Sequence, residues 1–402
     1  MFEKESFYHL LPPDTMEVCE EHFQEFFQTM FDRQRIWFER YVNKSPREEW
    51  SKDKILLNNK FTNVYRELDR SSIWIIRNII LNEEFDGFCS DKELKRNMLW
   101  KLLVARLINN PVTLSFVPSE HTLFTEFIDP ADGVSKPLIS ASEMGISGIP
   151  HVDEYDPEKM RQFLMGIKVL GMNPYANAYY VRSEVGFERN ESFAYVSFRY
   201  INDNIDRILD AIENAKKPTD VIKKLNELPC VSSFLTHEFY QDLTYIKRYR
   251  GESFFKFNQD DFTSVGPGAS TGIRLIYPYL KTIREQKKAI YWLKDMALRE
   301  IDKIAKERGV PFHFISVVPG SGTIIANDLP HDDLKTKIEE GAFDDVDNPY
   351  QISLHQIEMW LCEYQKYWKV KNSIGRQRSK FHLSDNKTKL LTDEDIILTS
   401  TY

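Results

Sequence analysis

The sequence is poor in the residues that build metal and disulfide frameworks. Four cysteines, Cys19, Cys89, Cys230 and Cys362, are scattered over 402 residues. No two form a C-x-x-C pair, which excludes zinc-ribbon, iron–sulfur and disulfide-scaffold classes. They read as reduced core thiols of a cytoplasmic protein. No G-x-x-x-x-G-K-[ST] segment occurs, so there is no P-loop, and no H-E-x-x-H, so there is no zincin helix. Gly266-Pro267-Gly268 and Gly320-Ser321-Gly322 lack the strand-to-helix setting and the following acid of a dinucleotide fold. Basic charge is also short: the net charge is −8 and the pI about 5.7, against a protein that coats nucleic acid indiscriminately. The most apolar short run, "IWIIRNIIL", is broken by Arg77 and is too short to span a bilayer. The amino terminus, "MFEKESFYHLLPPD", has acids where a signal peptide has a basic cap.

What is present describes a globular chain. Hydrophobic residues make up 42% and aromatics 13%, enough for one large or two ordinary domains with real cores. Helical spacing dominates. Val18, Phe23, Phe26, Phe27, Met30, Phe31, Trp37, Phe38 and Tyr41 recur at three and four residues, as one buried stripe does. Further helices are expected over about 55–81, 95–108, 157–170, 202–215, 219–227, 234–250, 277–308 and 353–370. Five prolines between Pro111 and Pro150 break the pattern. The expected organisation is an N-terminal helical region (1–110), an irregular or β insertion (111–152), a second helical region with a basic end (153–380) and a polar tail (381–402). "VPFHFISVVPGSGTII" is the one clear candidate strand pair.

Two segments carry the candidate chemistry. "LPCVSSFLTHEF", Leu228 to Phe239, reads as a tight turn between two helices, and it resembles the helix-hairpin-helix element of DNA glycosylases. Such a hairpin points backbone N–H groups at a phosphate without spending side-chain charge, which lets an acidic protein grip DNA. Cys230, Ser232 and Ser233 stand where that element favours glycine. "QDDFTSVGPGASTG" places Asp260 and Asp261 ahead of a Gly-Pro-Gly turn, 31 and 32 residues after Pro229. In the glycosylases a catalytic aspartate follows the hairpin at the head of the next helix.

A more specific resemblance joins these pieces. "KFTNVYRELDRSSIWIIRNI", "LPCVSSFLTHEFYQDLTY", "DDFTSVGPGASTGI" and "LCEYQKYWKVKNSIGRQRSKF" are together similar to the helical domain of 5-hydroxymethyluracil DNA kinases. That group lies with the alpha-glutamyl/putrescinyl thymine pyrophosphorylases and is related in fold to DNA glycosylases. The resemblance implies a mainly α, helix-hairpin-helix glycosylase-like fold and an enzyme directed at a bulky modified base in double-stranded DNA. Base-directed chemistry requires the nucleotide to leave the stack for a pocket. The leading expectation is a DNA glycosylase excising a hypermodified pyrimidine in antiviral defence, with no metal, cofactor or obligate protein partner. Asp261 is then the first candidate for the carboxylate that faces the sugar, Asp260 the second and Glu363 a further acid. A transferase adding an amino acid or polyamine to an activated 5-hydroxymethyluracil is the alternative, and a non-catalytic reader of modified DNA the third.

The remaining candidates each have a plain structural reading beside the functional one. In "YRELDR", Arg66 and Arg70 are four apart on an expected helix, with Asp69 able to hold one of them toward a phosphate, or the set is a solvated ion-pair face. Gly266 and Gly268 permit positive φ and close backbone approach, or form an ordinary turn. Lys366, Arg376 and Arg378 belong to a run of basic residues without an acid, suited to a DNA backbone or to a flexible tail. Asn177 and Tyr179 in "NPYANAYYVRS" are candidates for reading or stacking on a base, or part of a tyrosine-rich core.

Overall fold

The computed structural model describes residues 17–41, 43–86, 91–114, 127–128, 135–136, 149–169, 173–176, 183–251, 254–310 and 352–375. The fold is mainly helical, as expected. The longer helices are α1 Glu20–Tyr41, α2 Lys92–Ile108, α3 Pro157–Val169, α4 Ile205–Glu213 and α5 Pro218–Leu225. They are followed by α6 Ser233–Arg250, α7 Pro267–Ile276, α8 Ile283–Arg308 and α9 Leu354–Lys371. A two-residue antiparallel ladder pairs Phe127 with Lys136 and Ile128 with Ser135. The candidate strand pair after Val310, and Asn177, Tyr179, Arg376 and Arg378, lie outside the described residues. Among the described residues no helix is long and apolar enough to cross a membrane.

The chain divides into two compact units. One combines Met1–Asp69 with Gln259–Lys389, and the other combines Arg70–Asn258 with Leu390–Tyr402. In the first unit α1, α7, α8 and α9 bury one shared core. Phe26, Phe27 and Met30 of α1 meet Ile273 and Ile276 of α7, Ile290 and Leu293 of α8, and Ile357, Trp360 and Leu361 of α9. Each set repeats at three and four residues, so each helix turns one apolar stripe inward. The helix starts are fixed chemically. Thr282 with Glu285, and Ser353 with Gln356, form reciprocal capping boxes at α8 and α9. Gly309, at φ 62, ends α8 in the left-handed conformation that glycine adopts freely.

In the second unit α2 is central, with every residue from Leu102 to Ile108 buried. Its Arg106 is 1% exposed and faces Asp242 of α6, which is fully buried. Nε and Nη2 donate to the two carboxylate oxygens at 2.7 and 2.5 Å. The other guanidinium hydrogens reach Asn109 Oδ1, Ser71 Oγ and Ser72 Oγ. This bidentate pair locks α2, α6 and the segment after Arg70 together.

The single helix expected over 55–81 is broken. A short helix covers Lys54–Asn58, a 3-10 turn Arg66–Leu68, and a helix Arg70–Ile75 that continues as a π turn through Ile80. Side chains replace the helical ladder in the gap. Asp69 Oδ1 takes the Asn63 N–H, Asn63 Nδ2 donates to Leu68 O, and Glu363 Oε2 takes the Thr62 N–H. Arg66 and Arg70 therefore share no helical face.

Candidate functional site

The first unit gathers its acids around the head of α7. α7 opens at Gly266 and Pro267, so Asp261 sits in the turn before the helix rather than at its first residue. Gly266 has φ −74, and neither it nor Gly268 adopts a positive φ. Their use is close approach. A Cβ on Gly268 would meet Cys362 Sγ at 2.9 Å, and one on Gly272 would meet the Leu361 carbonyl oxygen at 2.4 Å. Four residues apart, these two glycines lie on one face and let α7 press directly on α9.

That crossing brings Glu358 of α9 to the head of α7. Its Oε1 accepts the Gly266 N–H at 3.1 Å, and the side chain is buried. A carboxylate already takes the N-cap N–H of this helix, and its negative charge there opposes a phosphate.

Asp260 is equally committed. Oδ1 accepts the N–H of Leu354, the first residue of α9, at 2.9 Å, and Oδ2 pairs with Lys294 of α8 at 2.8 Å. It ties α8 to the start of α9, and both of its oxygens have partners. The carboxyl of Asp295, next to Lys294, is held above the usual carboxylate range by burial, with Asp260 adding to the effect and Lys294 opposing it. Asp261 is half-buried in the same turn.

Glu67 is the functional candidate that the sequence alone did not single out. Only 1% exposed, it accepts from Gln259 Nε2 at 2.8 Å and from Gln356 Nε2 at 3.1 Å. Gln356 is itself fixed, because its Oε1 accepts the Ser353 N–H at 2.6 Å. Glu67 thus links the Gln259–Asp261 turn to the α9 capping box. The readable signals were the acid beside Arg66 and the S-x-x-Q spacing before an apolar run.

Other expected residues serve the fold. Arg66 Nη1 donates to Asp69 Oδ2 at 2.5 Å with both side chains largely buried. Glu363 accepts the Thr62 N–H at 3.2 Å and faces Lys366 at 3.3 Å. Lys366 also donates to the Lys60 carbonyl and stands 4.6 Å from the Phe61 ring centre. Glu363 and Lys366 therefore fasten α9 to the 60–62 segment.

The second unit holds the hairpin. α5 ends at Leu225, the turn runs to Cys230, and α6 begins at Ser233 with Ser232 Oγ accepting the Leu235 N–H. Cys230 has φ 63, the left-handed conformation that glycine normally supplies. The hairpin geometry is kept at the cost of a strained non-glycine residue. Ser192 Oγ lies 3.5 Å from Cys230 Sγ, and Ser197 Oγ donates to the Pro229 carbonyl. Both serines come from a π-helical turn, Ser192–Phe198, that backs the hairpin. Elsewhere in this unit the ligand atoms of Glu93, His151 and Asp153 lie within 4.8 Å of one another, a spacing that could hold a cation. Asp153 is shared there with Arg96 at 3.2 Å, and His151 Nδ1 accepts the Asp153 N–H.

Over residues 20–131 and 141–316 the chain matches the family described as 5-hmdU DNA kinase, helical domain. A 5-hmdU DNA kinase of Bacillus phage SP10 is 23% identical over 378 residues, covering 92% of this chain and 48% of the relative. The chain thus spans about half the length of the curated relative it matches. No solved structure matches. These findings correct the leading expectation. A kinase transfers a group and does not hydrolyse an N-glycosyl bond, so the glycosylase reading is overturned, together with the defence role built on excision.

Proposed function

Because the chain belongs to the family of 5-hmdU DNA kinase helical domains, we propose that it is a transferase acting on 5-hydroxymethyluracil in DNA. The group transferred is an amine donor, an amino acid or a polyamine, and the acceptor is the activated 5-hydroxymethyl carbon. The observation that carries this reading is the family match itself, which spans Glu67, the hairpin and the Gln259–Asp261 turn. The sequence has no P-loop to hold a nucleoside triphosphate, so phosphorylation of the hydroxymethyl group is not assigned to it.

The step requires little beyond positioning and a base. The donor ammonium gives a proton to a carboxylate, and its nitrogen forms a bond to the methylene carbon. The C–O bond to the phosphorylated leaving group breaks, and phosphate or pyrophosphate departs with the electron pair. Asp261, half-buried in the turn before α7, is the proposed base, and its neighbour Asp260 ties Lys294 to the head of α9. Glu67 holds the turn that carries Asp261 through Gln259. The hairpin of the second unit supplies phosphate contacts through backbone N–H groups. The reaction is placed in the cytoplasm, with the DNA substrate.

The test supplies duplex DNA bearing 5-hydroxymethyluracil or its phosphorylated form, with amino acids or polyamines, and weighs the nucleosides after digestion. We expect a heavier nucleoside in intact strands, lost in Asp261→Asn while DNA binding is kept. Absence of any mass gain with every donor sinks the proposal, and so does release of free base with alkali-labile strands.

A further inference from the structure

The corner between α7 and α8 has a character unlike the rest of this acidic chain. From Arg274 to Lys288 the sequence carries Arg274, Lys281, Arg284, Lys287 and Lys288 against a single acid, Glu285. Glu285 is spent on the capping box, where its Oε2 accepts from the N–H groups of Lys281 and Thr282 and from Thr282 Oγ1. Among the described residues, none of Lys281, Arg284 and Lys288 forms an ion pair with a carboxylate. Two large apolar side chains stand out beside these cations, Tyr279 at 66% exposure and Ile283 at 53%. Glu20, at the start of α1, lies close enough to act on the buried Tyr277. Exposed positive charge with an exposed aromatic ring is the chemistry that grips a nucleic-acid backbone and offers a stacking face.

The same helix leads from this corner to the candidate base. Lys287 lies 5.4 Å from the Phe262 ring centre, and Lys294 pairs with Asp260. Seven residues separate the two lysines, about 10 Å along α8 at ~1.5 Å per residue.

We propose that the α7–α8 corner binds the phosphates of the substrate DNA strand a few nucleotides from the target base, with Tyr279 as a stacking platform. The inference rests on the DNA reading given under Proposed function. It adds a contact surface independent of the hairpin and of Asp261.

The experiment measures affinity for a 5-hydroxymethyluracil duplex across a salt series. It compares the intact chain with the triple variant Lys281→Gln, Arg284→Gln, Lys288→Gln. A control removes three cations from the far end of α8: Arg299→Gln, Lys303→Gln and Lys306→Gln. The corner variant is expected to bind about 10- to 100-fold more weakly, with the slope of log affinity against log salt reduced by about 2 to 3, roughly 0.9 per lost phosphate contact. The control is expected to match the intact chain. Melting curves check folding, and Arg284→Gln and Lys281→Gln singly take over the test if the triple variant melts early. Intact-chain affinity in the corner variant, or equal losses in corner and control, overturns the corner and leaves the proposed function standing. Failure of the intact chain to bind any DNA overturns both.

Discussion

Among the described residues, Glu67 in the first unit and Asp242 in the second are the most deeply buried carboxylates, and the two are held in opposite ways. Asp242 meets a guanidinium whose N–H groups are all accounted for, by Asp242 itself, Asn109, Ser71 and Ser72. Glu67 receives amide N–H groups from Gln259 and Gln356, which come from two different segments. The first arrangement spends its charge on joining helices. The second fixes the turn that carries Asp260 and Asp261 to the head of α9. Burial alone therefore does not distinguish the two acids; what their partners are attached to does.

Arg106→Met is the hardest way to break this contrast. It leaves the Asp242 carboxylate buried without its partner, a loss of about 3 to 5 kcal/mol. Urea unfolding should show the Arg70–Asn258 unit melting early. Glu67→Gln keeps the side-chain shape but leaves two amide donors competing for one oxygen, at about 1 to 3 kcal/mol. Its larger expected effect is on turnover, because the Asp261 turn loses its anchor. Should Glu67→Gln leave turnover untouched while Arg106→Met abolishes it at temperatures where the protein is still folded, the contrast is reversed.

What the sequence disclosed follows the same division. α2, α6 and α9 were legible within a few residues, because an apolar stripe and a cap are local properties. The 55–81 stretch was not. Its break depends on Glu363 reaching Thr62 across 301 residues, which no local pattern records. The Asp260–Asp261 pair was visible, but the ties of Asp260 to Lys294 and to the head of α9 come from distant helices that no local pattern records. Gly268 was read correctly as a close-approach residue and wrongly as a candidate for positive φ, because the contact partner is α9 and not its own turn. The reaction was misread for a related reason. A hairpin and a carboxylate fit several kinds of base-directed chemistry, and they do not say which bond is broken.

The α7–α9 crossing sharpens the contrast further, since it positions the Glu67 side and has no role in the Asp242 network. Gly272→Ala drives a methyl group into the Leu361 carbonyl, where backbone has to move, and should cost about 1 to 3 kcal/mol. Gly268→Ala meets the Cys362 side chain and should cost less. In a Cys362→Ala background the Sγ contact is removed while the Cβ of residue 362 stays at 3.3 Å, and with the helical preference of alanine the cost should fall to within about 1 kcal/mol of zero. Denaturation midpoints of the four variants check this. A cost at Gly268 that is undiminished without the Cys362 sulfur means that something other than the sulfur contact sets it.

The smallest expected effect concerns a second paired acid in the Arg70–Asn258 unit. Glu158 accepts from Arg161 at 2.8 and 3.0 Å, from Gln162 at 2.9 Å and from the Tyr195 hydroxyl. The Arg161 hydrogen bonds are the main reason its carboxyl is held down to about 2, from an ordinary 4.5. Burial, and then the Glu158 carboxylate, push the Tyr195 phenol up to about 12. A depressed carboxyl stabilises the fold above its unfolded value, and that contribution drains away as pH falls from about 4.5 through about 2. A raised phenol stabilises below about 10 and loses its contribution as pH climbs through about 12. Glu158 is 44% exposed, so water screens the pair and the gain is less than about 1 kcal/mol. The stability gap between the intact chain and Glu158→Gln should be flat from pH 5 to pH 9 and close by about pH 2. A gap of unchanged size at pH 2 would show that Glu158 contributes through packing and not through its charge.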